Sequence, residues 1–340
     1  MEGKLLLLRN TRLGESKTLN NMKTIVLKEF GGIENFSIEE LPLPLINKHE
    51  VLVEIKAVSI NPVDAKTRSG KAMAGRLKTE NPVILGWDIS GVVTKTGTEV
   101  NTFKVGDEVF GMVNFPGHGK AYAEYVAAPA AHLALKPANI THEEAAADTL
   151  AALTAWQAFN THGQIKPNDR VLIHAAAGGV GHFAVQIAKH LGAYVIGTAS
   201  AANKDFVLSL GANEHFDYKA QAFEEAIDNI DIVLDTVGGD NIERSFEVIK
   251  RGGTVITLPS NTSDGIVEKA KEKGINGFFF LVQSNGGDMK QIAELLEKGI
   301  LKPHVSAVYS FHEIGEPMPD PLRCCGETTS RLWVLHSSPM

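Results

Sequence analysis

One stretch constrains this chain more than any other: Arg170-Val171-Leu172-Ile173-His174-Ala175-Ala176-Ala177-Gly178-Gly179-Val180-Gly181. It reads as a buried strand over 170–175, a glycine-rich turn, and a helix over 180–191, with a second strand at 194–198. Set on the pattern G-x-G-x-x-G, the turn puts Ala176, Gly178 and Gly181 at the three marked positions. Gly178 lets the backbone approach a pyrophosphate, and Gly181 lets the helix pack closely on the strand. Gly179 precedes the helix and Val180 opens it, and the first N–H groups and dipole of that helix favour an anion. A glycine turn alone is a weak signal. A strand before it and a helix and second strand after it make it the signature of a dinucleotide site.

The end of the second strand selects the dinucleotide. An NAD site usually carries Asp or Glu there, to bind the ribose 2′-hydroxyl. This chain has Thr198-Ala199-Ser200, with Lys204 one turn on and Tyr218 in the next loop. Hydroxyls and an ammonium suit a 2′-phosphate through charge-assisted hydrogen bonds, so NADP(H) is the expected cofactor.

The remaining chain has to supply a second domain, because 340 residues exceed one ordinary core. Residues 1–21 show no period and read as an N-terminal tail. Residues 22–147 are β-rich, with candidate strands at 24–27, 36–41, 51–58, 91–94 and 107–112. The character changes at Thr141, an N-cap candidate for an Ala-rich helix over 142–160. Strands and helices then alternate through residues 148–285: helices over 204–210 and 241–250, strands over 230–235, 254–258 and 277–282. That alternation predicts a doubly wound parallel sheet covered on both faces. A helix over 288–298 leads into residues 286–340, which return to the first domain.

Composition removes several function classes. The net charge of −7, without a Lys/Arg cluster, gives no support to a nucleic-acid binder. Two cysteines, Cys324 and Cys325, cannot form a disulfide scaffold or a multi-thiolate metal site. No apolar run reaches the ~18–20 residues of a membrane span, and Leu5 to Leu8 is too short for a signal peptide. A cytoplasmic protein is expected.

Further motifs occur in order: Asn61-Pro62-Val63-Asp64, Gly86-Trp87-Asp88-Ile89-Ser90-Gly91, Val105-Gly106-Asp107-Glu108-Val109, Tyr122-Ala123-Glu124-Tyr125, Leu153-Thr154-Ala155-Trp156 and Leu234-Asp235-Thr236-Val237-Gly238-Gly239. With the turn at 176–181, they resemble the medium-chain dehydrogenase/reductase superfamily, in its zinc-independent quinone oxidoreductase and alkenal/enone reductase branch. The resemblance covers about residues 22 to 313. It implies an α/β protein with a GroES-like β-rich catalytic domain and a Rossmann domain, and an active site in the cleft between them. It also implies that Thr154 and Val237 lie with the cofactor-binding residues, and that 278–280 forms the sheet edge on which relatives make a homodimer.

The zinc-dependent branch takes a Cys and a Gly-His-Glu as metal ligands. Here Asn61 stands at the first position and Trp87-Asp88 replace His-Glu, so no metal site is expected. Without a Lewis acid, hydride delivery to an already electrophilic carbon fits best. The expected substrate is a small quinone or α,β-unsaturated carbonyl, with Asn61 as the catalytic residue, hydrogen-bonding a carbonyl or the nicotinamide ribose. His118 reads as a mobile surface histidine, and Asp64 as a helix cap or a partner of Lys66. A non-catalytic NADPH-binding sensor or interaction protein is the alternative. After Glu316 the chain departs from the family: Pro317-Met318-Pro319-Asp320-Pro321 blocks a helix. Residues 317–340 are thus an atypical tail, in which 331–335 could still form a closing strand.

Overall fold

The alternation of Val51, Val53, Ile55 and Ala57 builds the strand on which the first sheet is assembled. The structure, a computed structural model, describes residues 21–258, 265–311 and 332–336, the last as backbone alone. Strands β1 (Asn21–Leu27) and β2 (Phe36–Pro42) pair antiparallel, so Asn21, read as tail, already belongs to a strand. Strand β3 (Glu50–Ile60) leads through Asn61 into helices α1 (Pro62–Arg68) and α2 (Ala74–Leu77). Strands β4 (Asp88–Thr96), β5 (Glu108–Met112), β6 (Tyr125–Pro129) and β7 (Leu133–Leu135) follow. Val51, Val53, Trp87, Ile89, Val109 and Phe110 are all fully buried beneath them.

Thr141 caps as expected: its side chain accepts the Glu144 N–H, and the Glu144 carboxylate takes the Thr141 N–H. The single helix expected over 142–160 is, however, two helices, α3 (His142–Ala147) and α4 (Leu150–Ala158). Thr149 leaves helical geometry at ψ −83. Its hydroxyl bonds the Ala146 carbonyl, and the Leu150 N–H turns to the carboxylate of Asp88 at 3.2 Å. A tertiary acceptor thus sets the start of α4, which no local period reveals.

The second half is β8 (Arg170–Ile173), α5 (Gly179–His190), β9 (Tyr194–Ala199), α6 (Lys204–Ser209) and β10 (Glu214–Asp217), then β11 (Ile230–Asp235), α7 (Asn241–Val248) and β12 (Ile249–Thr257). It ends with α8 (Ile266–Glu272), β13 (Asn276–Phe279) and α9 (Gly286–Glu297). The six strands run parallel in the order β10-β9-β8-β11-β12-β13. In chain order that is 3-2-1-4-5-6, the dinucleotide-binding arrangement, with its switch point between β8 and β11. Ile173, Val185 and Leu153 join the core of the first sheet, while Leu172, Val233, Val255 and Phe246 form a separate cluster on the other face. The helix expected over 241–250 stops at Val248, because Ile249 and Lys250 already belong to β12. Gly252, at φ +81, lies inside that strand and does not end the helix. Strand β10 and helix α8 were not legible in the sequence; both are short, and Glu214-His215-Phe216-Asp217 has no apolar run.

The chain then returns to the first sheet. Two glutamines hold the return by pairing with backbone as a strand would. Gln157 donates to the Gln283 carbonyl and accepts its N–H, at 2.9 and 3.0 Å. Gln186 does the same with Lys302, at 3.2 and 2.9 Å. Strands β14 (Val305–Ser310) and β15 (Leu332–His336) finish a seven-stranded sheet, with β15 antiparallel to β3. The closing strand expected at 331–335 therefore exists. The proline-rich segment, both cysteines and the tail before Asn21 lie outside the described residues. No described helix is long and apolar enough to cross a membrane.

Candidate functional site

The turn after β8 is held from both sides. Ala175 sits at φ +50, a left-handed conformation uncommon without glycine. The Ala176 N–H donates to the Thr198 carbonyl at 2.9 Å, and the Gly178 N–H donates to the Ala175 carbonyl at 2.8 Å. Gly178 caps α5 from extended backbone. A Cβ at Gly181 would fall 2.1 Å from the Ala175 oxygen, so only glycine lets the helix approach the turn this closely. Sequence reasoning missed a second such contact. A Cβ at Gly197 in β9 would meet the Ala176 Cβ at 2.7 Å, and the glycine in the second strand was its only signal. Ala176 is fully buried there, and with its N–H bonded to Thr198 it anchors the turn from within.

Ser200, Lys204, Tyr218 and Val237 follow the carboxyl ends of β9, β10 and β11, strands that lie to either side of β8 and its turn. Ser200 lies at the end of β9, mostly buried, and its Oγ accepts from Asn203 at 3.1 Å. Lys204 opens α6 exposed, and Tyr218 is exposed just after β10. Val237 is exposed after β11, in a turn tied down by Asp235. That carboxylate accepts from the Val237 and Gly238 N–H groups, Asn241 Nδ2 and Thr257 Oγ1, all within 3.1 Å. Thr154 is buried in α4, and its hydroxyl donates to the Leu150 carbonyl at 2.7 Å.

The second centre lies where β3, α1, β4 and α4 meet. Asn61 is 2% exposed. Its Nδ2 donates to Asp88 Oδ2 at 2.7 Å and to Ser59 Oγ at 3.1 Å, while the Ser59 hydroxyl donates to the same Asp88 oxygen at 2.6 Å. Asp88 and Ser59 thus hold the Asn61 amide by its nitrogen and fix its orientation. Asp64 is the helix cap, not a partner of Lys66: its Oδ2 takes the Asn61 N–H at 2.6 Å. Burial pushes the Asp88 carboxyl up to about 6, against the pull of its donors Ser59, Thr149, Asn61 and the Leu150 N–H. His118 is not a mobile surface residue. Its side chain is buried, with Nε2 2.8 Å from the Ile84 carbonyl and Nδ1 2.9 Å from Glu80.

These residues do not suit zinc. The Asn61 amide and both Asp88 oxygens are bonded within the protein, and the Trp87 indole is a donor held by the Gly117 carbonyl at 2.7 Å.

Burial also pushes Asp64 up from 3.8 to about 8, with Asp88 adding to the effect. An acid whose folded pKa is raised binds more protons folded than unfolded. Its contribution is complete below its ordinary pKa and is lost as pH climbs through the folded one. Chemical denaturation between about pH 5 and pH 8 should therefore show wild-type stability declining relative to Asp64→Asn. Parallel curves would show that Asp64 stays ionised.

Two parts define the class of protein: a parallel sheet with a glycine-lined nucleotide turn, and a β-rich domain with a buried polar centre. Together they make an oxidoreductase of the alcohol dehydrogenase type. Residues 47–138 match the family described as alcohol dehydrogenase GroES-like domain, and 210–317 match zinc-binding dehydrogenase. The 2-methylene-furan-3-one reductase of Solanum lycopersicum is 33% identical over 305 residues, 87% of this chain and 74% of that one. The chloroplastic NADPH-dependent alkenal/one oxidoreductase of Arabidopsis thaliana is 35% identical over 292 residues, 84% and 72%. The solved quinone oxidoreductase of Coxiella burnetii superposes with a TM-score of 0.87 at 35% identity, covering 94% of this chain and all of that one. The chain belongs to the medium-chain dehydrogenase/reductase family, in its quinone oxidoreductase and enone reductase branch.

Proposed function

We propose that this protein is an NADP(H)-dependent reductase of quinones or of the C=C bond of α,β-unsaturated carbonyls, working without zinc. One observation carries the reading: where zinc-dependent relatives would hold a metal, Asn61, Ser59 and Asp88 close into a hydrogen-bonded group without a thiolate or an imidazole. The names of the tomato, Arabidopsis and Coxiella relatives support the same substrates and cofactor.

The domains are residues 22–147 for catalysis and 148–285 for the cofactor, with 286–340 returning to the first. The backbone of Gly178, Gly179, Val180 and Gly181 binds the pyrophosphate, over a turn that the buried Ala176 anchors. Ser200, Lys204 and Tyr218 bind the 2′-phosphate, and Thr154 and Val237 border the nicotinamide. The Asn61 carbonyl oxygen accepts from a ribose hydroxyl, oriented by Asp88. When bound, the reduced nicotinamide supplies a hydride, so the protein's share is positioning and exclusion of water. A homodimer is part of this reading, supported by β13 at the open edge of the six-stranded sheet. A cytoplasmic location is kept from the sequence alone.

The test follows NADPH absorbance with enals, enones and quinones, and NADP⁺ with plain alcohols. NADPH consumption with the first group and no alcohol oxidation is expected. Confirmed NADPH binding without turnover of any enone or quinone would overturn the enzyme reading. Lys204→Glu should weaken NADPH about tenfold while leaving NADH unchanged, the effect of one exposed charge-assisted bond. Equal loss for both cofactors would place the 2′-phosphate elsewhere.

A further inference from the structure

The residue just before the nucleotide turn is a histidine at the end of an apolar strand. His174 is 2% exposed, and its ring lies 4.7 Å from that of Phe223. Both ring nitrogens meet hydroxyls: Nδ1 is 3.2 Å from Thr198 Oγ1, and Nε2 is 3.0 Å from Ser245 Oγ. Proton counting settles which nitrogen carries hydrogen. The Ser245 hydroxyl gives its only proton to the Asn241 carbonyl at 2.7 Å, so its oxygen must accept from His174 Nε2–H. Nδ1 is then bare and accepts the Thr198 proton. With that proton turned away, the Thr198 oxygen presents a lone pair to the Ala175 N–H, 3.3 Å away. Ala175 is the left-handed residue that shapes the turn. Burial keeps the imidazole neutral, its pKa lowered to about 4, although Asp235 and Glu224 raise it and Arg244 lowers it further.

We propose that His174 is a positioning residue for the cofactor: through Thr198 it holds Ala175 in its strained conformation and so keeps the turn shaped for a pyrophosphate. The inference rests on reading that turn as the pyrophosphate site. An unusual backbone conformation persists only where its surroundings over-determine it, and here the relay from Ser245 through His174 to Thr198 supplies that constraint. The relay acts on shape alone, since His174 is enclosed by the fold.

NADPH titrations of four variants test it. Thr198→Ser keeps the hydroxyl, and His174→Asn keeps an acceptor at the Nδ1 position; both should bind within about threefold of wild type. Thr198→Val is near-isosteric but lacks the hydroxyl, and His174→Gln reaches only toward Ser245. Both should raise Kd about tenfold or more. In the active enzyme the same variants should raise KM for NADPH and leave kcat at saturating cofactor unchanged. Equal Kd values within each pair would overturn the inference and leave the cofactor reading standing. A wild-type chain that does not bind NADPH would overturn that reading, and the inference with it.

Discussion

Gly181→Ala should cost this protein NADPH binding by about 100-fold or more. The new Cβ would lie 2.1 Å from the Ala175 carbonyl oxygen and 2.9 Å from the Ala176 Cα. Both obstacles are backbone, so no side chain can swing aside. Either the first turn of α5 moves off the sheet, or the turn itself flattens. Each removes the convergence of helix N–H groups on the pyrophosphate. Overpacking of this kind costs ~1–3 kcal/mol or more, and ~3 kcal/mol is about 100-fold in affinity. Titration with NADPH and with NADH should show the same loss for both, because both carry the pyrophosphate. A variant that binds within about threefold of wild type would mean that the turn does not hold the cofactor.

Asp88→Ala should be the most damaging single change in the β-rich domain. The carboxylate accepts from the Ser59 hydroxyl, the Asn61 amide and the Leu150 N–H, each from a different element. Removing it leaves the buried Ser59 hydroxyl and the Leu150 N–H without that acceptor and takes from Asn61 the shorter of its two bonds. An abandoned buried donor costs ~1–3 kcal/mol, and losses within one network do not simply add. A total of about 3–5 kcal/mol is expected, or about 4–7 °C in Tm for a chain of this size. Activity should fall further, about 10- to 100-fold in kcat/KM, because Asn61 is no longer oriented. Asp88→Asn keeps the volume and one acceptor and should lie between. Calorimetry and steady-state kinetics on the two variants decide it; unchanged activity in Asp88→Ala would remove Asp88 and Asn61 from the site.

Residues 170–181 carried the nucleotide turn openly, because strand, glycine spacing and helix are contiguous and each imposes a local demand. The same holds for the parallel sheet, whose apolar strands Val171-Leu172-Ile173 and Ile232-Val233-Leu234 are buried on both faces and show it in composition. The exchange of metal ligands at Asn61, Trp87 and Asp88 was equally visible, since it depends only on which side chain occupies a position. Hydrogen-bond direction was not visible. That Asp88, 27 residues away, accepts from both Asn61 and Ser59 shows only in the fold. His118 looked mobile between two glycines, yet Glu80 and Ile84 enclose it. The break between α3 and α4 and the relay from Ser245 to Ala175 have the same origin. What the sequence by itself determined was therefore what is set by local backbone demand and side-chain type: the fold class, the glycine-lined turn between β8 and α5, and which side chains stand at positions 61, 87 and 88. Which proton each buried polar group gives away was decided only by the tertiary structure, because burial removes water as the universal partner and leaves each group to whatever distant element the fold brings against it.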